Sequence, residues 1–110
     1  MNASVTINAG ICGFRTSAEV SSADSQNVLF DVSTNCDKIQ KLADALKQRE
    51  PIDAYQEISP ASDSVFMGVV RENLRGCCSG CVVPSGLFKA MQVAAGLALP
   101  KDISISLSKQ

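Results

Sequence analysis

Apolar and polar residues alternate along four short segments of the chain, residues 4–8, 14–20, 28–32 and 103–107. Alternation with a period of two is typical of a β-strand that buries one face. The first three segments follow one another closely and predict an antiparallel meander with one solvated side. The last segment, in which isoleucine and leucine alternate with serine, predicts a final strand that pairs in the middle of the sheet or at its edge.

Apolar residues recur at helical spacing in three segments between the third and the last predicted strand. The first helix follows a choice of N-cap residues at 33–35 and ends before Pro51, so Cys36 lies in its first turn. A thiol in that position is close to the partial positive charge of the helix N-terminus, which favours the thiolate. Residues 52–60 have no clear period and predict a loop.

The second predicted helix runs from an N-cap at Ser62 or Asp63 to Gly76, and the third runs from an N-cap at Ser85 to Pro100. The resulting order is β-β-β-α-α-α-β. It predicts an α+β fold of two layers, in which a mostly antiparallel four-stranded sheet carries three helices on one face. The length predicts a single α+β domain over residues 1–110.

Composition and charge exclude several classes of protein. Hydrophobic residues make up 45% of the chain and charged residues 19%, which is typical of a folded domain. A net charge of −1 and five aromatic residues give no general attraction for nucleic acid and no stacking platform for bases. The N-terminus has no signal-peptide pattern, and the longest apolar run, residues 87–99, is too short to span a bilayer. We therefore expect a cytoplasmic protein with no membrane or nucleic-acid partner.

The candidate chemistry lies in five cysteines, because the chain contains no histidine. Cys78 and Cys81 form a C-x-x-C motif that brings two thiols within reach of one ion or of each other. With Cys12, which lies between two glycines, and Cys36 they make a set of four sulfurs, and Cys77 is a spare. Thiolates without histidine select zinc, copper(I) or an iron–sulfur cluster. The sequence thus predicts an accessory protein that binds an iron–sulfur cluster or zinc through these four cysteines.

Two other functions remain open at this point. A thiol redox or sulfur-transfer protein would use Cys78 and Cys81, with Cys36 as an activated thiol. A protein-interaction module would contain incidental buried thiols and bind a protein partner, or form a homodimer through an exposed strand edge. The sequence identifies no catalytic residue, so it leaves open whether the protein is an enzyme.

Several motifs together resemble a family of small uncharacterised cysteine-containing proteins from anaerobic prokaryotes. They are residues 8–14 (NAGICGF), Cys36, residues 81–84 (CVVP) and the segment from Lys89 to Ile105. The family has no assigned activity. The resemblance implies that Cys12, Cys36 and Cys81 belong to the family pattern, and an anaerobic source would suit an oxygen-sensitive cluster.

Overall fold

A four-stranded antiparallel sheet and four α-helices make up the fold in a computed structural model, which describes residues 1–59 and 63–110. The spatial order of the strands is the order in the sequence, β1-β2-β3-β4. The strands are β1 Asn2–Asn8, β2 Arg15–Ser21, β3 Asn27–Thr34 and β4 Ile52–Asp53. The helices are α1 Asp37–Lys47, α2 Ala54–Glu57, α3 Val65–Asn73 and α4 Val83–Ala94, with a short 3₁₀ helix at Gly76–Gly80.

The helices cover one face of the sheet, as the alternation predicted. The inward residues of β1, β2 and β3 are buried or half-buried, and their neighbours along each strand are mostly exposed. Helix α4 packs chiefly on β1 and also on β2, α1 packs on β3, and α3 packs on α1 and α4. The Phe66 ring of α3 lies between Phe30 of β3 and Phe88 of α4, with ring centroids 5.7 and 5.5 Å away. The α+β class and the antiparallel four-stranded sheet are therefore confirmed.

The prediction of a final strand at 103–107 is wrong. Residues 101–110 have no regular secondary structure, and Ile103, Ile105 and Leu107 are 57%, 65% and 93% exposed. The fourth strand comes instead from the predicted loop, where Val28 pairs with Ile52. Alternation describes a segment that suits a strand, but a strand forms only where the segment meets a partner edge, and residues 101–110 do not meet one here. A two-residue strand, in turn, is too short to produce a periodic pattern.

The helix limits also differ from the predicted ones. Cys36 is the N-cap of α1 and not a residue of its first turn. Helix α3 is capped by Ser64, whose hydroxyl accepts a hydrogen bond of 2.8 Å from the Met67 N–H. Of the two predicted caps, Asp63 does not cap the helix, and Ser62 lies outside the described residues.

Helix α4 begins two residues before the predicted cap, Ser85, with Pro84 in its first turn. This position suits proline because the first N–H groups of a helix have no partner within the helix. The helix ends at Ala94, well before Pro100, since Gly96 adopts a left-handed φ of +76°. Gly76 opens the 3₁₀ helix and does not close α3.

Two carboxylates in the middle of the chain serve as helix caps. Asp53 Oδ1 accepts hydrogen bonds from the N–H groups of Tyr55 and Gln56 at the start of α2. Glu57, which is buried, accepts hydrogen bonds from the N–H groups of Val65 (2.9 Å) and Phe66 (3.0 Å) at the start of α3. The carboxylates thus satisfy N–H groups that have no partner within the helices.

Gly86 lets α4 approach the sheet closely. A Cβ atom at this position would lie 2.5 Å from Ile7 Cδ1 and 2.9 Å from Ile7 Cγ1. We expect Gly86→Ala to lower the free energy of unfolding by about 1–3 kcal/mol, because overpacking outweighs the better helix propensity of alanine. Urea denaturation measures this change.

Gly68 in the exposed part of α3 provides the matched control, since a Cβ there would meet nothing within 4 Å. Gly68→Ala should raise the free energy of unfolding by up to about 1 kcal/mol. Equal effects at the two positions would contradict the close contact between α4 and β1.

Candidate functional site

Four of the segments that contain or flank cysteines meet at one end of the sheet. Asn8 pairs with Arg15, and Thr16 pairs with Thr34, so the end of β1, the start of β2 and the end of β3 lie side by side. The contact of Gly86 with Ile7 brings the start of α4 to the same end. We call this region the cysteine end. It comprises the hairpin loop 9–14, residues 34–36 and residues 76–83.

The hairpin loop presents Cys12 at its tip. Gly10 and Gly13 adopt left-handed φ values of +94° and +75°, which side chains other than glycine rarely allow. The Gly13 N–H donates to the Gly10 carbonyl (2.9 Å), and the Ala9 N–H donates to the Phe14 carbonyl (3.1 Å). Cys12 between these two turns is exposed.

Hydrogen bonds fix Cys36 beside that loop. The Arg15 N–H, at the base of the hairpin, donates to Asn35 Oδ1 (3.0 Å). The Cys36 N–H donates to Thr34 Oγ1 (3.2 Å), which in turn bonds to the buried Thr16 Oγ1 (2.8 Å). The Cys36 side chain makes no capping hydrogen bond and is half-buried against the core. Its sulfur therefore has no competing partner at the N-terminus of α1.

The C-x-x-C motif forms a turn directly before α4. The Cys81 N–H donates to the Cys78 carbonyl (3.1 Å), and the Cys78 N–H donates to the Arg75 carbonyl (3.3 Å). Cys78 and Cys81 are half-buried and pack against the core, whereas Cys77 is exposed. The structure thus distinguishes Cys77 from Cys78 by their exposure, whereas the sequence did not distinguish them.

The sulfur of Cys81 lies near three other sulfurs. Burial raises the pKa of the Cys81 thiol above its ordinary value, and the Val83 N–H at the start of α4 lowers the pKa by hydrogen bonding. Charge–charge interactions with Cys12, Cys36 and Cys78 raise the Cys81 pKa further. Charge–charge effects of this kind require proximity. The segments of Cys12, Cys36 and the C-x-x-C motif therefore meet near Cys81, and Cys77 is not among the groups that act on the Cys81 pKa.

Within residues 1–59 and 63–110, no group of three or more cysteine, aspartate or glutamate side chains is placed to hold one ion. Tetrahedral zinc with Zn–S bonds of about 2.3 Å needs sulfurs about 3.8 Å apart. No preformed site for one zinc ion is therefore described among these residues. All five thiols are free.

The hydrogen-bonding residues that support Cys36 were not predicted. Thr16 and Thr34 face each other across β2 and β3, and Asn35 joins the hairpin to the start of α1. A signal for them was present, because a threonine on the buried face of a strand needs a hydrogen-bond partner. The partner itself depends on strand register, which the sequence did not give.

No helix in the described part of the chain has the length and apolar character that crossing a membrane requires. A family model whose description reads "family of unknown function (DUF6951)" matches residues 3–107. No curated protein and no solved structure matches the chain. The cysteine pattern and the anaerobic prokaryotic source implied by the resemblance remain predictions.

Proposed function

We propose that this chain, which belongs to that family of unknown function, binds an iron–sulfur cluster through Cys12, Cys36, Cys78 and Cys81. The observation that carries the proposal is the meeting of the Cys12, Cys36 and Cys78–Cys81 segments at one end of the sheet, which strand register and the contact of Gly86 with Ile7 produce. The four thiols come from three separate segments that meet at this end of the sheet, and none of them is in a disulfide. Their mutual repulsion when ionised is the free-energy cost that a bound cationic centre would relieve.

A cluster suits the spacing better than a single ion. In a four-iron cluster each thiolate binds a different iron, so the protein sulfurs lie further apart than around one zinc ion. Within residues 1–59 and 63–110 no side chains are placed around a single ion, and three cysteines lie near enough to Cys81 to act on its pKa. The absence of histidine leaves sulfur as the donor, which is the donor that such clusters use.

The surroundings of the thiols suit thiolate ligands as well. The Val83 N–H already donates towards the Cys81 sulfur, and hydrogen bonds to cluster sulfurs tune their reduction potential. Cys36 at the N-cap of α1 faces N–H groups that no side chain satisfies. The glycines at positions 10 and 13 let the hairpin loop turn tightly around a bound group. Bound in this way, a cluster would supply electron transfer or simply structure.

A second candidate is a thiol redox or sulfur-transfer protein that uses Cys78 and Cys81. The turn between their backbones supports it, since it brings two free thiols together. The raised pKa of Cys81 weighs against it, because an attacking thiol needs a lowered pKa to ionise near neutral pH. A cluster ligand is less affected, since metal binding itself drives deprotonation.

Anaerobic purification of the full chain, followed by iron, sulfide and zinc analysis and an absorption spectrum, tests the proposal. We expect a brown protein with broad visible absorption and with iron and acid-labile sulfide in equal amounts. Supply of iron and sulfide to metal-free protein under reducing conditions should produce the same spectrum.

Three other results would contradict the proposal. Stoichiometric zinc without iron would show that the sulfurs close around a single ion. A reversible Cys78–Cys81 disulfide in a protein that takes up no metal would favour the redox candidate. A protein that does neither would leave the thiols incidental.

A further inference from the structure

The sheet has one open edge, along β1. Met1 and Ser22 exchange two backbone hydrogen bonds of 2.7 and 2.9 Å, and the Ala9 N–H bonds to Phe14. Along an antiparallel strand, residues that hydrogen-bond to a given neighbouring strand alternate with residues that do not. The odd-numbered residues of β1 therefore bond to β2. The backbone N–H and C=O groups of the even-numbered residues therefore face the open edge, namely those of Asn2, Ser4, Thr6 and Asn8.

This edge lacks the usual protection against pairing with another strand. Edge strands are commonly blocked by charges, proline or a covering segment, and β1 (NASVTIN) contains no charge and no proline. The opposite edge is different. There β4 has two residues, and the Glu50 carboxylate accepts a hydrogen bond of 2.7 Å from the Phe30 N–H of β3. Of the two edges in the described part of the chain, the β1 side offers the longer strand with an unpaired edge.

The C-terminal segment 101–110 has the character of a strand without a partner. Its residues are exposed, and none of its backbone groups bonds to the sheet in the described part of the chain. The segment leaves the core beside the start of β1, since a Cβ on Gly96 would lie 4.0 Å from Met1 Cε. The family match extends to residue 107 and so includes this segment up to Leu107.

We propose that residues 101–108 of one copy of this chain add as a fifth strand to the β1 edge of a second copy, and that the second copy does the same in return. Eight extended residues span about 26 Å and the seven of β1 about 23 Å, so the lengths match. The exchange is reciprocal and closed, which gives a symmetric dimer.

The faces of the two strands match as well. In the C-terminal segment 101–110, called the tail below, the alternation places Ile103, Ile105 and Leu107 on one side. There they would continue the buried face beneath α4. This helix packs chiefly on β1, the edge strand, and Val5, Val93 and Leu97 remain only partly covered there. The serines of the tail would then lie on the solvated face with Ser4 and Thr6.

A second copy is favoured over the chain's own edge because the tail projects from its own molecule. All ten residues of 101–110 are exposed, and the molecule measures 43 Å along its long axis against 28 Å in the other two directions. The projecting segment of one copy can therefore pair with the open β1 edge of another copy.

Sedimentation equilibrium of the full chain under reducing conditions tests the proposal, and the reductant excludes dimers linked through exposed cysteines. We expect a dimer. Ile105→Asp should weaken it at least about 100-fold, because a charge replaces a buried side chain twice in each dimer. Ser104→Asp makes the same change of charge on the solvated side and should weaken the dimer less than tenfold.

A second pair of variants tests the edge. Thr6→Pro removes an N–H that points to the open edge and leaves the bonds to β2 intact, so we expect monomers. Thr6→Ala retains the N–H and should remain dimeric. A monomeric wild-type chain would overturn the proposal. This includes a monomer whose own tail pairs with β1, which slow hydrogen exchange at the Ser4 and Thr6 amides would reveal. A dimer that withstands Ile105→Asp would also overturn it, since another surface would then form the contact.

Discussion

Cys78→Ser is expected to abolish the iron–sulfur cluster, whereas Cys77→Ser, one position earlier, should leave it bound. Cys78 is half-buried, packs against the core and acts on the pKa of Cys81, whereas Cys77 is exposed. Loss of one of four thiolate ligands should reduce the iron retained by at least about tenfold, since even changes around the ligands cost 10–100-fold in affinity. Iron and sulfide content after anaerobic reconstitution measures the difference.

The same measurement extends to the other ligands. Cys12→Ser, Cys36→Ser and Cys81→Ser should each behave as Cys78→Ser does. Serine is close in size to cysteine and the thiols are at most half-buried, so we expect the metal-free variants to fold. Circular dichroism measures whether they do. Cluster retention in Cys12→Ser, or equal loss in Cys77→Ser and Cys78→Ser, would contradict the ligand set.

Phe66→Ala is expected to cost about 3–5 kcal/mol of the free energy of unfolding, the largest stability effect of any single change discussed. The Phe66 side chain is fully buried and contacts the rings of Phe30 and Phe88, so it joins β3, α3 and α4. Its removal leaves a cavity where three elements meet. Since domains of this size have only about 5–15 kcal/mol of stability, the urea midpoint should fall sharply.

Phe14→Ala provides the control for this prediction. Phe14 lies in the hairpin loop and is 39% exposed, so the same truncation should cost about 1 kcal/mol or less. If Phe66→Ala does not fold, Phe66→Leu should still be measurably less stable than wild type. A cost below about 1 kcal/mol for Phe66→Ala would mean that the three rings do not hold the layers together.

The C-terminal segment 101–110 shows that a hydrophobic pattern does not reveal whether a strand has a partner. Ile103, Ile105 and Leu107 have the alternation of a half-buried strand, yet they are exposed and form no strand with residues 1–59 or 63–100. Burial of a strand depends on an edge elsewhere in the chain or in another molecule. The sequence around 52–53, in contrast, showed no period, and those two residues pair with β3 because α1 returns the chain there.

For the candidate site, the sequence predicted the residue types that would take part, but not the backbone turns and hydrogen bonds that position them. The chain has no histidine and five cysteines, and this limited the chemistry to sulfur. The choice between Cys77 and Cys78 required the 3₁₀ helix, which exposes one and half-buries the other. The threonine pair beneath Cys36 required the register of β2 against β3.

The sequence by itself determined the α+β class, the three-stranded meander and the three principal helices, because these follow from local periodicity and from the need to bury one face. Tertiary structure alone decided which strand completes the sheet and which sulfurs lie close together, since both depend on contacts between residues far apart in the chain. The segments of Cys12, Cys36 and Cys81 are brought to one end of the sheet by strand register and by the contact of Gly86 with Ile7. Neither contact has a local signature in the sequence.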